Sequence, residues 1–495
     1  MAHESLIQQR QAGILLHPTS LPDTGKGCLG AQALRFIDFL HSCGQCVWQM
    51  LPIGPTHSDG SPYLPLSAYA GNPRFIDVAD LQASGWLDRQ ALENTSDHAM
   101  LLALAFDKFY ARHDGIEKRR FRRFVRQERK WLRDYALFQL IRHLYDGQSW
   151  LDWPQPLRDH DESELEQLEQ EHAREIDAIY FQQYVFARQW KRLKRYANRK
   201  NVKLFGDMPI FVSFDSAEVW AERRYFDIDE TGQPRFVAGV PPDYFSATGQ
   251  RWGNPHYDWE YMRRHGFDWW LNRFAHELKR FDIIRIDHFR GFEACWKIPA
   301  HCETAVHGEW VKVPGGELFE TLHRRFGELP LVAEDLGIIT PEVTALRKRF
   351  ELPGMAVLQF AFDDMPDNPH RPDNYEAATV AYTGTHDNDT TLGWFNSLDE
   401  QGHQRVARYI EVGSDEMPWP MIRAVMESRA CLAIIPMQDV LMLDGRHRMN
   451  TPGTAKGNWR WAFVWEQLSD SAQAKLANIT YQSKRACLGA SKDAD

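Results

Sequence analysis

Residues 281–290 read Phe-Asp-Ile-Ile-Arg-Ile-Asp-His-Phe-Arg, an apolar, β-branched segment that runs directly into Asp287 and His288. A largely apolar run of this length is typical of a strand that is buried on both faces, as in a parallel sheet. Parallel α/β folds place their chemistry at the carboxyl ends of such strands. The segment therefore predicts a buried strand that delivers a carboxylate to a functional edge of the sheet.

Two further segments repeat this design of an apolar strand that ends in acidic residues. Residues 329–335 read Leu-Pro-Leu-Val-Ala-Glu-Asp, and residues 379–387 read Thr-Val-Ala-Tyr-Thr-Gly-Thr-His-Asp. The spacing between Asp287, Glu334 and Asp387 suits one or two βα units, so all three acids could converge at one rim. The pattern predicts a single acidic site at the mouth of a barrel.

Eight apolar runs separated by helical patterns predict the overall fold. Besides the three strands above, five more strands are predicted at residues 13–16, 46–51, 202–210, 354–360 and 431–439. The clearest helix is predicted within residues 173–190, where apolar residues recur at three- and four-residue steps. This alternation predicts the α/β class and a (β/α)8 TIM barrel with helical and loop insertions at its C-terminal rim.

The composition along the chain predicts three regions. Residues 1–76 are expected to begin the catalytic barrel. Residues 77–200 are rich in Arg, Glu, Gln, Leu and Trp and poor in Gly, which predicts a mostly helical insertion. Residues 201–495 are expected to complete the barrel, and residues 211–280, which mix aromatic residues with turns, are expected to form a lid insertion.

The charge and the aromatic content limit the partners of the chain. The 495 residues carry a net charge of −10, which argues against nucleic acid and anionic membranes and favours neutral or small partners. Aromatic residues make up 13% of the chain, with 18 Trp. They could fill a large core or form exposed platforms for sugar rings, and composition alone leaves both interpretations open.

The cysteines and the N-terminus predict a reducing compartment. Seven cysteines at irregular spacing do not form a disulfide framework. The Cys43-Gly-Gln-Cys46 spacing could indicate redox or metal chemistry, but it has no second CxxC partner, and buried thiols are the expected interpretation. The first residues lack a signal pattern and no run of 18 apolar residues occurs, so we expect a cytoplasmic protein without a membrane span.

Converging carboxylates suit the chemistry of glycosidic bonds. One carboxyl group protonates the leaving oxygen, while another attacks the sugar or activates a water molecule. A third can stabilise the charged transition state, and His288 and His386 could donate hydrogen bonds to sugar hydroxyls. Arg285 lies two residues before Asp287, so within a strand both side chains point to the same side. The arginine is expected to keep Asp287 ionised and oriented.

The sequence gives weaker support to other roles for these residues. Each acid could instead be a helix N-cap after its strand. The acids and the two histidines could also ligate Zn²⁺ or Mn²⁺, although no HxxxH or HExxH spacing supports this. The chain contains no Walker loop, GxGxxG motif or GxSxG elbow. We therefore expect neither a resident metal nor a cofactor.

Several motifs together resemble those of one enzyme family, from about Gly13 to about Phe463. These motifs are Trp-Gln-Met-Leu-Pro at 48–52, Ser-Pro-Tyr at 61–63, Gly-Gln-Arg-Trp-Gly-Asn-Pro at 249–255, Arg-Ile-Asp-His-Phe-Arg-Gly at 285–291, Ala-Glu-Asp-Leu-Gly at 333–337 and Tyr-Thr-Gly-Thr-His-Asp-Asn-Asp at 382–389. The sequence resembles the 4-α-glucanotransferases, also called amylomaltases or disproportionating enzymes, which are relatives of the α-amylase superfamily of glycoside hydrolases.

The resemblance implies a role for each acid. Asp287 falls on the family's nucleophile, Glu334 on its general acid/base, and Asp387 on the residue that holds the sugar and stabilises the transition state. Other positions are implied to bind substrate: Ser61, Tyr63, Asp243, Trp252, Arg285, His288, Asp364, His386 and Asn458. Departures from the family's pattern touch none of the three acids and bear on chain-length preference; they are Cys28, Ser58, Leu64 and Ala247.

The resemblance also implies the reaction and the partners. We expect retaining double displacement, in which a segment of an α-1,4-glucan passes to the 4-hydroxyl of an acceptor, with possible cyclisation. The expected partners are α-1,4-glucans and maltooligosaccharides, with glucose as acceptor, and the expected state is a monomer. An α-glucan hydrolase with the same carboxylates and a non-catalytic glucan-binding protein remain alternatives.

Overall fold

The computed structural model describes residues 9–22, 27–111, 115–242, 246–411, 416–454 and 456–487 of the chain. The strands of these residues are β1 (Gln11–Leu15), β2 (Val47–Gln49), β3 (Lys203–Pro209), β4 (Phe236–Val240), β5 (Gln250–Pro255), β6 (Ile283–Asp287), β7 (Ala294–Pro299), β8 (Glu309–Lys312), β9 (Leu331–Ala333), β10 (Gly354–Val357), β11 (Thr379–Tyr382) and β12 (Leu432–Pro436).

The α-helices fall between the strands along most of the chain. They are α1 (Ala31–Ser42), α2 (Val78–Ala83), α3 (Arg89–Asn94), α4 (His98–Ala111), α5 (Ile116–Leu144), α6 (Gln155–Arg158), α7 (Glu162–Glu171), α8 (Ala173–Arg199), α9 (Ala217–Ala221), α10 (Trp259–Arg264), α11 (Asp268–Arg280), α12 (Gly315–Phe326), α13 (Pro341–Arg349), α14 (Thr391–Ser397), α15 (Glu400–Tyr409), α16 (Trp419–Glu427), α17 (Met437–Val440) and α18 (Asp470–Gln482).

Eight of the strands form one parallel sheet that curls into a barrel. Their order is β10-β11-β12-β1-β2-β3-β6-β9, and every neighbouring pair is parallel. The strands are apolar on both faces because the barrel interior lies on one side and helices lie on the other. All eight predicted strands are present, and the predicted (β/α)8 barrel is confirmed.

The barrel closes between β9 and β10, the two strands at the ends of this order. The main-chain N–H of Ala333 donates to the carbonyl of Pro353 over 2.9 Å. The main-chain N–H of Met355 donates to the Asp335 carboxylate over 2.7 Å, and Arg347 Nε lies 3.0 Å from the other oxygen of that carboxylate. Asp335 therefore joins the two strands by a side chain where the backbone ladder ends.

Replacing Asp335 with Ala is expected to destabilise the fold by about 3 kcal/mol, because Arg347 would be left without its nearest carboxylate in a largely buried site. Asp335→Asn should cost less, since its amide oxygen can still accept from Met355. Urea unfolding of both variants measures the effect. The control is Asp373→Ala at an exposed position, and an Asp335→Ala midpoint equal to that of the control would contradict this role.

The helices α2 to α8 occupy residues 78–199, between β2 and β3. Two side-chain amides of α8 bind the segment between β2 and α2. Gln183 donates to and accepts from the backbone of Gly71, and Gln189 donates to and accepts from the backbone of Asp77. Helix α8 is buried on more than one side, because Phe181 lies outside its main apolar stripe and is fully covered. The division of the chain into three regions stays a prediction.

A second sheet, which the sequence did not predict, lies in the segments that follow β3 and β6. Four antiparallel strands form it in the order β5-β4-β7-β8. Strands β4 and β5 come from the expected lid insertion, and β7 and β8 follow β6 directly after a short 3-10 helix. Strand β5 of this sheet contains Trp252.

All seven cysteines carry free thiols, and Cys43 and Cys46 are both buried. Within the described ranges, no helix has the length and apolar character needed to cross a membrane.

Candidate active site

The three acids follow strands of the same barrel at its carboxyl-terminal rim. Asp287 is the last residue of β6, Glu334 follows β9 directly, and Asp387 lies in the loop after β11. Strands β6 and β9 are neighbours, with Ile286 paired to Ala333, so Asp287 and Glu334 emerge side by side. The three acids therefore lie at the carboxyl-terminal rim of the barrel, where the strand pattern predicts them.

Arg285 joins Asp287 to a second acid. Its Nη1 atom lies 2.8 Å from Asp287 Oδ1 and 2.8 Å from both carboxylate oxygens of Asp207. The register of β3 and β6 pairs Asp207 directly with Arg285, and Tyr63 donates its hydroxyl to Asp207 over 2.7 Å. The predicted contact between Arg285 and Asp287 is present, and Asp207 holds the arginine from the opposite side.

Glu334 is held by the backbone in a partly buried position. The main-chain N–H of His288 donates to its Oε2 over 2.7 Å, and that of Leu336 donates to its Oε1 over 2.9 Å. Burial raises the pKa of Glu334 to about 7. The negative charge of Asp287 also raises this pKa, whereas Arg285 and the two main-chain amides lower it. A carboxyl group with this pKa can both give and take a proton near neutral pH.

His288 has a left-handed backbone, with φ 54° and ψ 51°. This conformation is costly for a residue with a Cβ, and such strain concentrates at functional sites. The His288 ring meets the Trp252 ring edge to face, with centroids 4.8 Å apart. Burial lowers the pKa of His288 to about 4, so its imidazole is neutral at neutral pH. His288 therefore contacts Glu334 through its main chain and Trp252 through its ring.

The residue before the third acid, His386, belongs to a group of aromatic rings. The His386 ring stacks on Tyr63 with centroids 5.1 Å apart, and Trp459 lies 5.8 Å from Tyr63. His386 Nε2 is 3.4 Å from Asp387 Oδ2. The Asp387 side chain is 49% exposed, the most exposed of the three acids. A half-exposed carboxylate next to this group of rings suits a sugar ring with several hydroxyls.

The other predicted substrate contacts have different local partners. Ser61 accepts a hydrogen bond from the main-chain N–H of Tyr63 over 3.4 Å and so borders the rings. The Asn458 amide is engaged within its own loop, where it accepts from the Thr451 N–H and donates to the Thr454 carbonyl. Asp364 is largely exposed and lies 3.8 Å from Arg408. The predicted contact at position 243 lies outside the described residues.

An arginine side chain lies among the acids of this rim. In the part of the chain that the structure describes, no three His, Cys, Asp or Glu side chains are arranged to hold a metal ion. The Arg285 guanidinium supplies the positive charge between Asp207 and Asp287. The arrangement can supply a nucleophilic carboxylate, a partly buried proton donor and a third carboxylate beside the His386 ring.

Known proteins match this chain over nearly its whole length. The family described as 4-alpha-glucanotransferase matches residues 16–466. The 4-alpha-glucanotransferase of Thermus thermophilus is 47% identical, over 96% of this chain and 99% of its own length. That of Synechocystis sp. is 45% identical, over 96% and 98%.

Solved structures show the same fold. The amylomaltase from Streptococcus agalactiae in complex with acarbose superposes with a TM-score of 0.93 at 36% identity, over 97% of this chain and all of that one. Amylomaltase from Corynebacterium glutamicum has a TM-score of 0.76 at 18% identity, over 97% of this chain and 76% of its own, and shows the fold alone. This chain belongs to the 4-alpha-glucanotransferase family.

Proposed function

We propose that the chain moves a segment of an α-1,4-glucan to the 4-hydroxyl of an acceptor glucose or glucan by retaining double displacement. Family membership favours transfer over hydrolysis. The observation that carries the mechanism is the pair formed by Asp287, held by Arg285, and the partly buried Glu334, whose pKa is raised to about 7. The amylomaltase from S. agalactiae binds acarbose, and we assign glucan to the corresponding rim of this barrel.

In the first step, Asp287 attacks the anomeric carbon of the donor sugar, and the bond to the leaving glycosidic oxygen breaks. Glu334 gives its proton to that oxygen, so the released fragment leaves as a neutral alcohol. Arg285 binds Oδ1 of Asp287, which orients the carboxylate and leaves Oδ2 to attack. The product of this step is a glycosyl ester on Asp287 and an ionised Glu334.

In the second step, Glu334 takes the proton of an acceptor 4-hydroxyl, and the acceptor oxygen displaces Asp287 from the anomeric carbon. Two inversions at that carbon give net retention. Asp387, His386 and Tyr63 hold the sugar at the cleavage point, where Asp387 stabilises the positive charge that develops on the ring.

Transfer requires that an acceptor sugar reach the intermediate before water does. Trp252 lies against His288, next to the proposed nucleophile, and can cover the acceptor side when glucan is bound. We assign further glucan contacts to Ser61, Asp243, Asp364 and Asn458. Use of free glucose as acceptor, action as a monomer and a cytoplasmic location belong to the same proposal.

Incubation with maltotriose tests this function. We expect glucose and a ladder of longer oligosaccharides with little net gain of reducing ends, because each bond broken is replaced by a bond formed. Chromatography of the oligosaccharides together with a reducing-end assay measures both quantities. A gain of one reducing end per bond broken would indicate a hydrolase, and unchanged maltotriose would indicate a glucan-binding protein. Loss of activity with a chelator would indicate a metal-dependent enzyme.

A further inference from the structure

The segment Arg448-Met449-Asn450 lies against the loop that carries Asp387. Met449 is buried in the apolar cluster that includes Tyr63, and its main-chain carbonyl accepts from the Trp459 N–H over 2.8 Å. The side chain that points inward thus anchors the segment at the mouth of the barrel. The residues on either side of Met449 both contact Asp387.

Two contacts tie this segment to the third acid. Asn450 Nδ2 donates to Asp387 Oδ1 over 2.6 Å, and Arg448 Nη2 donates to the Asp387 main-chain carbonyl over 3.0 Å. Arg448 also donates from Nε to the Asn450 carbonyl over 3.2 Å, which connects the two donors. The other carboxylate oxygen of Asp387 lies farther from its protein neighbour, 3.4 Å from His386 Nε2.

The type of donor matters for a carboxylate that must act on a developing positive charge. A short hydrogen bond from a neutral amide fixes the rotation of the carboxylate and leaves its negative charge uncancelled. An arginine in the same place would neutralise that charge, and here the arginine is directed to the main-chain carbonyl instead. Because the Asp387 side chain is half exposed, packing alone would not hold its orientation.

We propose that Asn450 is a positioning residue for transfer, which holds the Asp387 carboxylate in the orientation that serves the sugar at the cleavage point. This inference rests on the proposed role of Asp387. Asn450 acts through Asp387 and does not itself take part in bond breaking. Its amide fixes one carboxylate oxygen so that the other faces the sugar.

Two substitutions at position 450 separate this role from a structural one. Asn450→Ala removes the donor, and we expect kcat for maltotriose disproportionation to fall about tenfold with a much smaller change in KM. Asn450→Asp keeps the shape of the side chain but replaces the donor with a second carboxylate beside Asp387. It should therefore be less active than Asn450→Ala.

Arg446→Ala provides a matched control in the same loop, because Arg446 is exposed and pairs with Asp444 on its own segment. Asp387→Asn provides the reference for loss of the acid itself. The unfolding midpoints of all four variants are measured alongside kcat and KM.

The outcomes are distinguishable. The inference is supported if kcat falls in the order Arg446→Ala, Asn450→Ala, Asn450→Asp without a matching order of unfolding midpoints. It is overturned if both Asn450 variants keep normal kcat while Asp387→Asn is inactive, or if Asn450→Asp is more active than Asn450→Ala. Normal turnover by Asp387→Asn would instead contradict the proposed function of that acid.

Discussion

Asp287→Asn is expected to abolish glucan transfer while glucan binding survives. The amide has nearly the shape of the carboxylate and can still accept from Arg285, but it is too weak a nucleophile to form the glycosyl ester. Loss of a catalytic nucleophile costs about four to six orders of magnitude in kcat. This is the largest effect that we expect from any single substitution in the chain.

Initial rates on maltotriose and calorimetric titration with maltotriose measure turnover and binding separately. Asp373→Asn, at an exposed position, has the same change of charge and is expected to match the unmodified enzyme. Turnover by Asp287→Asn within tenfold of the control would contradict the assignment of the nucleophile. Loss of binding together with turnover would show that Asp287 also holds the ground-state sugar.

Glu334→Gln is expected to cause the second largest loss of kcat/KM for maltotriose. It should also remove the alkaline limb of the pH profile of kcat/KM. Burial raises the pKa of Glu334 to about 7, so the protonated form that the first step needs is populated below about pH 7 and lost above it. The unmodified enzyme should therefore lose kcat/KM for maltotriose as pH rises through about 7. The Gln variant should be about a thousandfold slower and lack this alkaline limb.

A donor with a better leaving group separates the proton transfer from the rest of the step. Fluoride leaves α-maltosyl fluoride without protonation, so Glu334→Gln should release fluoride much faster than it cleaves maltotriose. The intermediate should then accumulate, because the variant lacks the base for the second step. An equal loss of activity on maltotriose and on α-maltosyl fluoride would contradict the acid/base role of Glu334. Persistence of the alkaline limb in the variant would contradict it as well.

Local pattern predicted the barrel strands and the three acids because each strand is a short apolar run that ends in a carboxylate. Asp287 is predicted from residues 281–290 alone, and Glu334 is predicted from residues 329–335 alone. The role of Asp207 could not be predicted in this way, because its pairing with Arg285 depends on the register between β3 and β6, whose residues lie far apart in sequence. Asp207 does lie near the end of the predicted strand at 202–210, but the sequence does not show which residue it contacts.

Asp335 and the second sheet show two further reasons for missed features. Asp335 stands beside Glu334 in the same motif, yet it closes the barrel, because Asp335 contacts Arg347 and the main-chain N–H of Met355. The second sheet pairs short strands from separate insertions, and its β4 contains Gly239, where a Cβ would come within 2.1 Å of the Gln250 carbonyl oxygen. A glycine of this kind suggests a turn when only the sequence is considered.

The most direct test of the mechanism is to locate the covalent intermediate. Glu334→Gln is mixed with α-maltosyl fluoride, quenched in acid, digested and analysed by mass spectrometry. The mechanism predicts a maltosyl group esterified to the peptide that contains Asp287, and no such adduct in the double variant that also carries Asp287→Asn. An adduct on another residue, or products of inverted anomeric configuration with no adduct, would contradict it.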